Sequence, residues 1–334
     1  MPKVINIGAI GRDTWTRLVD SSPTASWFQT AEAFDFYDSL PFLEAFSVGV
    51  EDDGGRLKGV VVGFVQKDGG RLKQFMSRRA IINGGPLLAH DITEEELMVL
   101  LKSLKLQLRR KAIYIETRNF NDFSQWRKVF EHCGFFYEPH YDIWVDTSSK
   151  EVLDNNLGKS RKRDIRLSLR DGATIITQPS LIQVREFYEV LSDLYRNKVK
   201  TPLFPIAFFE KMYQLPSSAF LLVEYDGRIV GGTVCVGLEG NALYEMYACG
   251  KDGVFKNIFP SELATFAGLQ YAAEHGMSRF DMMGAGSPDD GGYGVRDFKL
   301  KFGGELKEFG RNKCICHRLL FAIGKMGVKV LKKL

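Results

Sequence analysis

The chain has 334 residues, 45% of them hydrophobic and 26% charged, which is enough for two soluble domains of ordinary size. No run approaches the roughly 18 apolar residues that span a bilayer, and five scattered cysteines speak against a disulfide framework and for a reducing, cytoplasmic compartment. Net charge is only +4 but uneven: Lys159–Arg170 carries +5 and Lys299–Leu334 carries +8, leaving −9 elsewhere. Such concentration suits a phosphate-bearing partner, or else solvated helix faces.

The opening MPKVINIGAIGRDTW lacks a basic segment followed by an apolar run, so no secretory leader is expected. Residues 45–68 (AFSVGVEDDGGRLKGVVVGFVQKD) predict a strand, an acidic-glycine turn and a β-rich strand. Another strand and an amphipathic helix over Thr93–Lys111 follow, with Thr93 and Glu96 at capping-box spacing, then a strand at Ala112–Thr117. Polar, turn-rich Asp146–Gly158 marks a boundary between halves 1–148 and 149–316. Lys159–Arg170 predicts a basic helix, Ala173–Thr177 a strand, and Leu181–Val199 and Pro205–Leu215 two helices. Residues 219–240 (AFLLVEYDGRIVGGTVCVGLEG) repeat the plan of 45–68, with Asp226-Gly227 as the hairpin turn. A strand, a helix over Ser261–His275 behind Pro260, and a strand over Ser278–Met283 complete the repeat. The expectation is an α/β (α+β) fold: two mixed central sheets flanked by helices.

The stretch Arg279–Arg311 (RFDMMGAGSPDDGGYGVRDFKLKFGGELKEFGR) is the most distinctive. An apolar-acidic strand enters a glycine-rich loop, Gly284–Gly294, backed by Phe298-Lys299-Leu300-Lys301-Phe302 and Gly303-Gly304. A flexible loop at a strand's carboxyl end is where α/β sheets place ligands. Gly284, Gly286, Arg296 and Phe298 are accordingly candidate substrate contacts. Lys299 can hold a compact positive charge where an oxyanion forms, or lie on a helix surface. Asp281 either accepts a proton or caps the loop, and Tyr244 and Tyr247 either present hydroxyls to a peptide or sugar or simply pack. Cys314-x-Cys316 with His317 lacks a second ligand pair, so no metal is expected, and no Gly-x-Ser-x-Gly elbow supports a serine nucleophile.

The order strand, glycine loop, Phe-Lys, Phe-Gly-Gly resembles the C-terminal signature of the Fem family (FemABX-like), which builds the interpeptide bridge of bacterial peptidoglycan on a duplicated acetyltransferase-like (GNAT) fold. Trp27-Phe28-Gln29-Thr30 is similar to the family's opening Phe-x-Gln-Ser, and Leu157–Gly172 to its basic helix ending in glycine. Tyr247-Ala248-Cys249-Gly250, Pro260, Gly276 and Phe280-Asp281 match its second-domain core. With no heptad pattern, the chain resembles the shorter members without a coiled-coil arm.

The resemblance implies tandem GNAT-like (acyl-CoA N-acyltransferase) domains, with the terminal helix 317–334 returning to the first. It implies an aminoacyltransferase whose partners are an aminoacyl-tRNA donor and a nucleotide- or lipid-linked peptidoglycan precursor, with no bound cofactor. Lys299 occupies the place of the lysine thought to steady the oxyanion, and Tyr195, Arg196 and Lys198 sit where the precursor's phosphates are met. Phe34-Asp35-Phe36-Tyr37 departs from the Trp and Lys expected there, and Cys249–Pro260 lacks the glycine spacing that cradles CoA pyrophosphate. The alternatives are an acyl-CoA-dependent N-acyltransferase acting on a sugar or lipid, and a non-catalytic binder of membrane or nucleic acid. The basic amphipathic segment His317–Leu334 either docks on the protein or makes peripheral contact with the inner membrane surface.

Overall fold

The computed structural model describes residues 2–6, 10–66, 78–199, 201–290 and 294–331, with side chains described to Gly324. The chain divides into two compact units, Met1–His140 with Glu308–Leu334, and Tyr141–Lys307.

The first unit is built on β1 (Lys3–Asn6), β2 (Leu43–Glu51), β3 (Leu57–Gln66), β4 (Arg79–Gly84), β5 (Leu87–Leu88), β6 (Tyr114–Asn119), β7 (Phe136–Glu138) and β15 (Arg311–Ile315). They lie in the order β1-β2-β3-β4-β6-β15-β7, with β5 also on β3. The β2–β3 hairpin is antiparallel, whereas β4 and β6 run parallel over six residue pairs, Arg79↔Tyr114 to Gly84↔Asn119. β3 is buried along its whole length because helices cover both faces of this sheet. On one face lie α3 (Glu94–Leu108) and the short α4 (Arg127–His132); α3 presents Leu97, Leu100, Leu101, Leu104 and Leu108 at helical spacing, its start closed by the expected Thr93–Glu96 capping box. Beneath the other face, α1 (Arg12–Ser21) and α2 (Ala31–Asp38) flank the motif Trp27-Phe28-Gln29-Thr30.

That motif has a local cause. Gln29, fully buried, donates from Nε2 to Gly84 O (3.1 Å) and Gly85 O (3.0 Å) and accepts from Ser26 Oγ (2.9 Å). Gly84 and Gly85 have φ of 82° and 75°, and a Cβ on Gly84 would lie 2.6 Å from Ser26 Oγ. Gln29 therefore ends β4 by satisfying two carbonyls that the sheet leaves open.

β6 carries Glu116, whose side chain is 6% exposed and faces Arg118 (2.9 Å), Arg311 (3.4 Å) and Lys313 (3.4 Å). Burial pushes this carboxyl up, but the three cations outweigh it and hold it at about 2. A depressed folded pKa gives stability that is present above the unfolded value and lost as pH falls through the folded one. The first unit is expected to lose about 3 kcal/mol between pH of about 5 and about 2 through this group. Urea melts of wild type and Glu116→Gln across that range check it. Parallel pH slopes for the two proteins would sink the assignment.

The second unit repeats the plan with β8 (Tyr141–Asp146), β9 (Thr174–Ile176), β10 (Ser218–Tyr225), β11 (Arg228–Gly237), β12 (Ala242–Gly250), β13 (Arg279–Gly284) and β14 (Glu305–Glu308). Their order is β14-β8-β13-β12-β11-β10-β9, again with one parallel step, β12 beside β13. α9 (Pro260–Glu274) covers one face, lying so close that a Cβ on Gly268 would sit 2.7 Å from the Phe280 ring. α5 (Lys150–Asn156) and α6 (Lys159–Arg170) lead into this unit. α7 (Leu181–Leu194) ends in a π-turn over Tyr195–Val199, and α8 (Ile206–Met212) follows.

The unit boundaries differ from those expected at 148/149 and 316/317. β8, read as part of the first half, pairs with β13 from Arg279↔Asp146 to Gly284↔Asp142. β15, read as part of the second, pairs with β6 and β7. Each sheet thus takes a strand that the linear repeat places in the other half, because a strand's alternation of polar and apolar residues says which face is buried but not which edge it meets. α11 (Arg318–Leu331) begins in the first unit, where the Phe321 ring meets Tyr114 edge-on at 5.4 Å while Leu319 is 82% exposed. Lys325, Lys329, Lys332 and Lys333, on which the membrane expectation drew, lie outside the described side chains. Among the described residues no helix is long and apolar enough to cross a membrane.

Candidate active site

The two parallel steps differ. β4 and β6 stay paired to their ends, whereas β12 and β13 pair only over Ala242↔Arg279, Leu243↔Phe280 and Tyr244↔Asp281 before parting. Bulges mark the divergence on both strands. On β12, Val234 faces Tyr247 and Cys235 faces Glu245, so Met246 is the extra residue. On β13, the register to β8 shifts between Asp281 and Gly284, with Met283 at φ 53°. Bulges bend the strand and re-aim side chains. Here the first of them puts Glu245 on the α9 face and sends Tyr247 to the α7 face.

Four ionisable residues meet at this fork. Glu245 is 6% exposed and accepts from Thr265 Oγ1 on α9 (3.0 Å); burial pushes its carboxyl up against the pull of Lys299. Asp281 is fully buried, accepting from Met283 N (2.7 Å) and Trp144 Nε1 (2.9 Å), and burial raises it to about 6. Asp142, 5% exposed, also faces Lys299 electrostatically. Lys299, on α10 (Gly294–Leu300), donates from Nζ to Met282 O and to Gly284 O (3.1 Å), with Met283 O at 3.5 Å. Burial lowers the Lys299 pKa, and the three carboxyl groups oppose that shift.

Each candidate read from the sequence can now be placed. Lys299, Asp281 and Gly284 converge toward the end of β13, whereas Tyr244 lies by its start. Tyr244 is completely buried, its hydroxyl 3.4 Å from Arg279 Nη2, and Arg279 in turn stacks 3.9 Å over Trp144. Both Asp281 oxygens are taken by the bulge and the indole, the capping arrangement. Gly286 O receives Tyr141 N (2.8 Å), and Arg296 clasps the loop by donating to Ala285 O (2.8 Å) and Ser287 O (2.6 Å). Phe298 packs on Phe302 beneath the Arg161 guanidinium. Tyr247 and Tyr195 form an aromatic wall with Phe208 and Phe209, with centroids 5.0–6.3 Å apart. Arg196 is exposed and paired with Asp193 (3.0 Å), and Lys198 is exposed. Residues 291–293 of the glycine loop lie outside the described residues. Glu245 was not singled out from the sequence; its signal was an acid inside the apolar strand ALYEMYACG.

The start of α9 lies against the end of β12, where a Cβ on Gly250 would sit 2.3 Å from Ser261 N. Its first turn is already occupied: Asp252 accepts from Ser261 N (3.0 Å) and Ser261 Oγ (2.5 Å).

Residues 158–299 match the family model of the acetyltransferase (GNAT) domain. Among solved structures, FemX aligns over 96% of this chain and 99% of its own, at 16% identity and TM-score 0.73. The C-terminal domain of a putative lysylphosphatidylglycerol synthetase from Agrobacterium fabrum aligns over 96% of each chain, at 13% identity and TM-score 0.60. A tandem GNAT protein from the clavulanic acid biosynthesis pathway aligns over 95% of this chain and 99% of its own, at 12% identity and TM-score 0.58. No curated protein matches the sequence significantly. The chain has the tandem GNAT fold, and the likeness to Fem proteins read in its motifs extends to the FemX fold over nearly its whole length.

Proposed function

We propose that the protein is an aminoacyltransferase that joins an amino acid, carried as an ester on tRNA, to an amine of a peptidoglycan precursor peptide. The observation that carries this reading is the fork in the second sheet, where the parting of β12 and β13 leaves Lys299 and buried Glu245 in each other's electrostatic field beside a glycine loop. Amide formation needs an uncharged attacking amine and a stabilised oxyanion. Glu245, made more basic by burial, takes the proton of the attacking ammonium. Lys299 spends two N–H groups on Met282 O and Gly284 O, and its third, held only by the long 3.5 Å contact to Met283 O, turns to the developing oxyanion. The new C–N bond forms as the ester C–O bond breaks, and the tRNA hydroxyl leaves with a proton. Asp281 holds the bulge that keeps the fork open.

The GNAT match also favours a second reading, an acyl-CoA donor. Against it stands Asp252, whose carboxylate fills the helix start that a pyrophosphate takes in CoA-binding sites. The test is transfer of labelled amino acid from a pool of charged tRNAs to lipid II and to the soluble nucleotide precursor. RNase-sensitive label in either acceptor is expected, with no rise in melting temperature on adding CoA. A CoA-dependent rise without tRNA-dependent label would replace this reading by the second one.

A further inference from the structure

Away from the fork, α5, α6 and α9 enclose an open groove of about 520 Å³, within the range of small-ligand sites. Its floor is apolar: Leu157, Ile165, Leu169 and Phe266. Leu169 is 44% exposed, so part of that floor stands in water. Along one edge run Lys162, Arg166 and Arg170, four residues apart on α6, with Asp154 as the acid of the lining. Arg170 is paired with Asp171 (2.7 Å), while Lys162 and Arg166 make no ion pair among the described residues.

We infer that this groove seats an anionic phospholipid, its acyl chain along the floor and its phosphate between Lys162 and Arg166. The charge fits a phosphate, and the aliphatic floor selects a lipid over a nucleic acid, whose phosphates come with ribose and bases rather than methylenes. The site fixes the second unit on a membrane surface without a spanning helix. It does not rest on the transfer reaction, since lipid binding needs neither donor nor acceptor.

Co-sedimentation of the full chain with vesicles tests it. Vesicles of phosphatidylcholine with phosphatidylglycerol are expected to bind the protein, and phosphatidylcholine alone is not. The double substitution Lys162→Gln/Arg166→Gln is expected to weaken binding about 30-fold, at roughly a kcal/mol per cation near an anionic surface. Leu169→Ser weakens it as well, and unchanged melting curves show that the variants fold. Wild-type vesicle binding by the double variant would overturn the proposal, because another surface then meets the lipid. So would loss of tRNA binding with vesicle binding intact, which would make the row a nucleic-acid contact. Competition by glycerol 3-phosphate as effective as that by lipid would leave only a phosphate site and reject the acyl chain.

Discussion

Replacing Lys299 by alanine is expected to lower kcat for amide formation by about 10²–10³-fold while leaving acceptor affinity unchanged. The side chain donates to the strand-end carbonyls of Met282 and Gly284 and sits in the field of Glu245, Asp142 and Asp281. In the resting protein its charge balances buried acids, and an oxyanion asks for one further donor only as the tetrahedral centre forms. A contact made only in the transition state appears in kcat and kcat/KM alike, not in ground-state binding. Lys299→Arg does not restore the rate, because a planar fork cannot reproduce a compact ammonium among three carbonyls. Single-turnover transfer rates and acceptor titrations on the same preparations separate the cases. Equal losses of rate and affinity would make Lys299 a phosphate clamp instead.

The second large effect lies in stability. Arg161 is 5% exposed, pairs with Glu262 (2.8 Å) and Asp164 (3.6 Å), and stacks over Phe298 (4.6 Å) and Phe302 (5.1 Å). One guanidinium thus ties α6 to α9 and to the helix carrying Lys299. Arg161→Ala removes the cation from poorly solvated Glu262, while Asp164 keeps Arg163 at 2.8 Å, and the stranded carboxylate together with the lost ring contacts costs about 3–5 kcal/mol. For a unit of this size that lowers Tm by about 10 °C. Arg161→Lys recovers little of it, since an ammonium cannot serve two acids and two ring faces together. A loss below about 1 kcal/mol in chemical denaturation would show that the pair is screened like a surface one.

Arg161 also shows how far the sequence could be read. The basic helix Lys159–Arg170 was recognisable with its ends intact, yet its charge was read as one solvated or phosphate-facing cluster. Arg161, Asp164, Ile165 and Ser168 form a buried helical stripe, and only the remaining cations face water. Composition sums charges without regard to the face they occupy. The duplicated plan was legible because long apolar runs, an Asp-Gly turn and helix-start signals are local. The exchange of β8 and β15 was not, because β pairing is a long-range choice. Glu245 escaped notice for a related reason: the bulge at Met246 breaks the period-two alternation, and that break shows only once β11 is laid alongside.

The exchanged strands impose an order on how the protein is made. β15 fills the place between β6 and β7, yet Ile315 comes 177 positions after Glu138. At about 5–20 residues per second, a ribosome needs roughly 10–35 s to cover that distance. Meanwhile the nascent amino-terminal unit holds β6 with an open hydrogen-bonding edge, the kind of edge that recruits foreign strands. The unit begun first is therefore completed last, and a premature stop just upstream of residue 311 damages the amino-terminal sheet while sparing the strands of the carboxyl-terminal one.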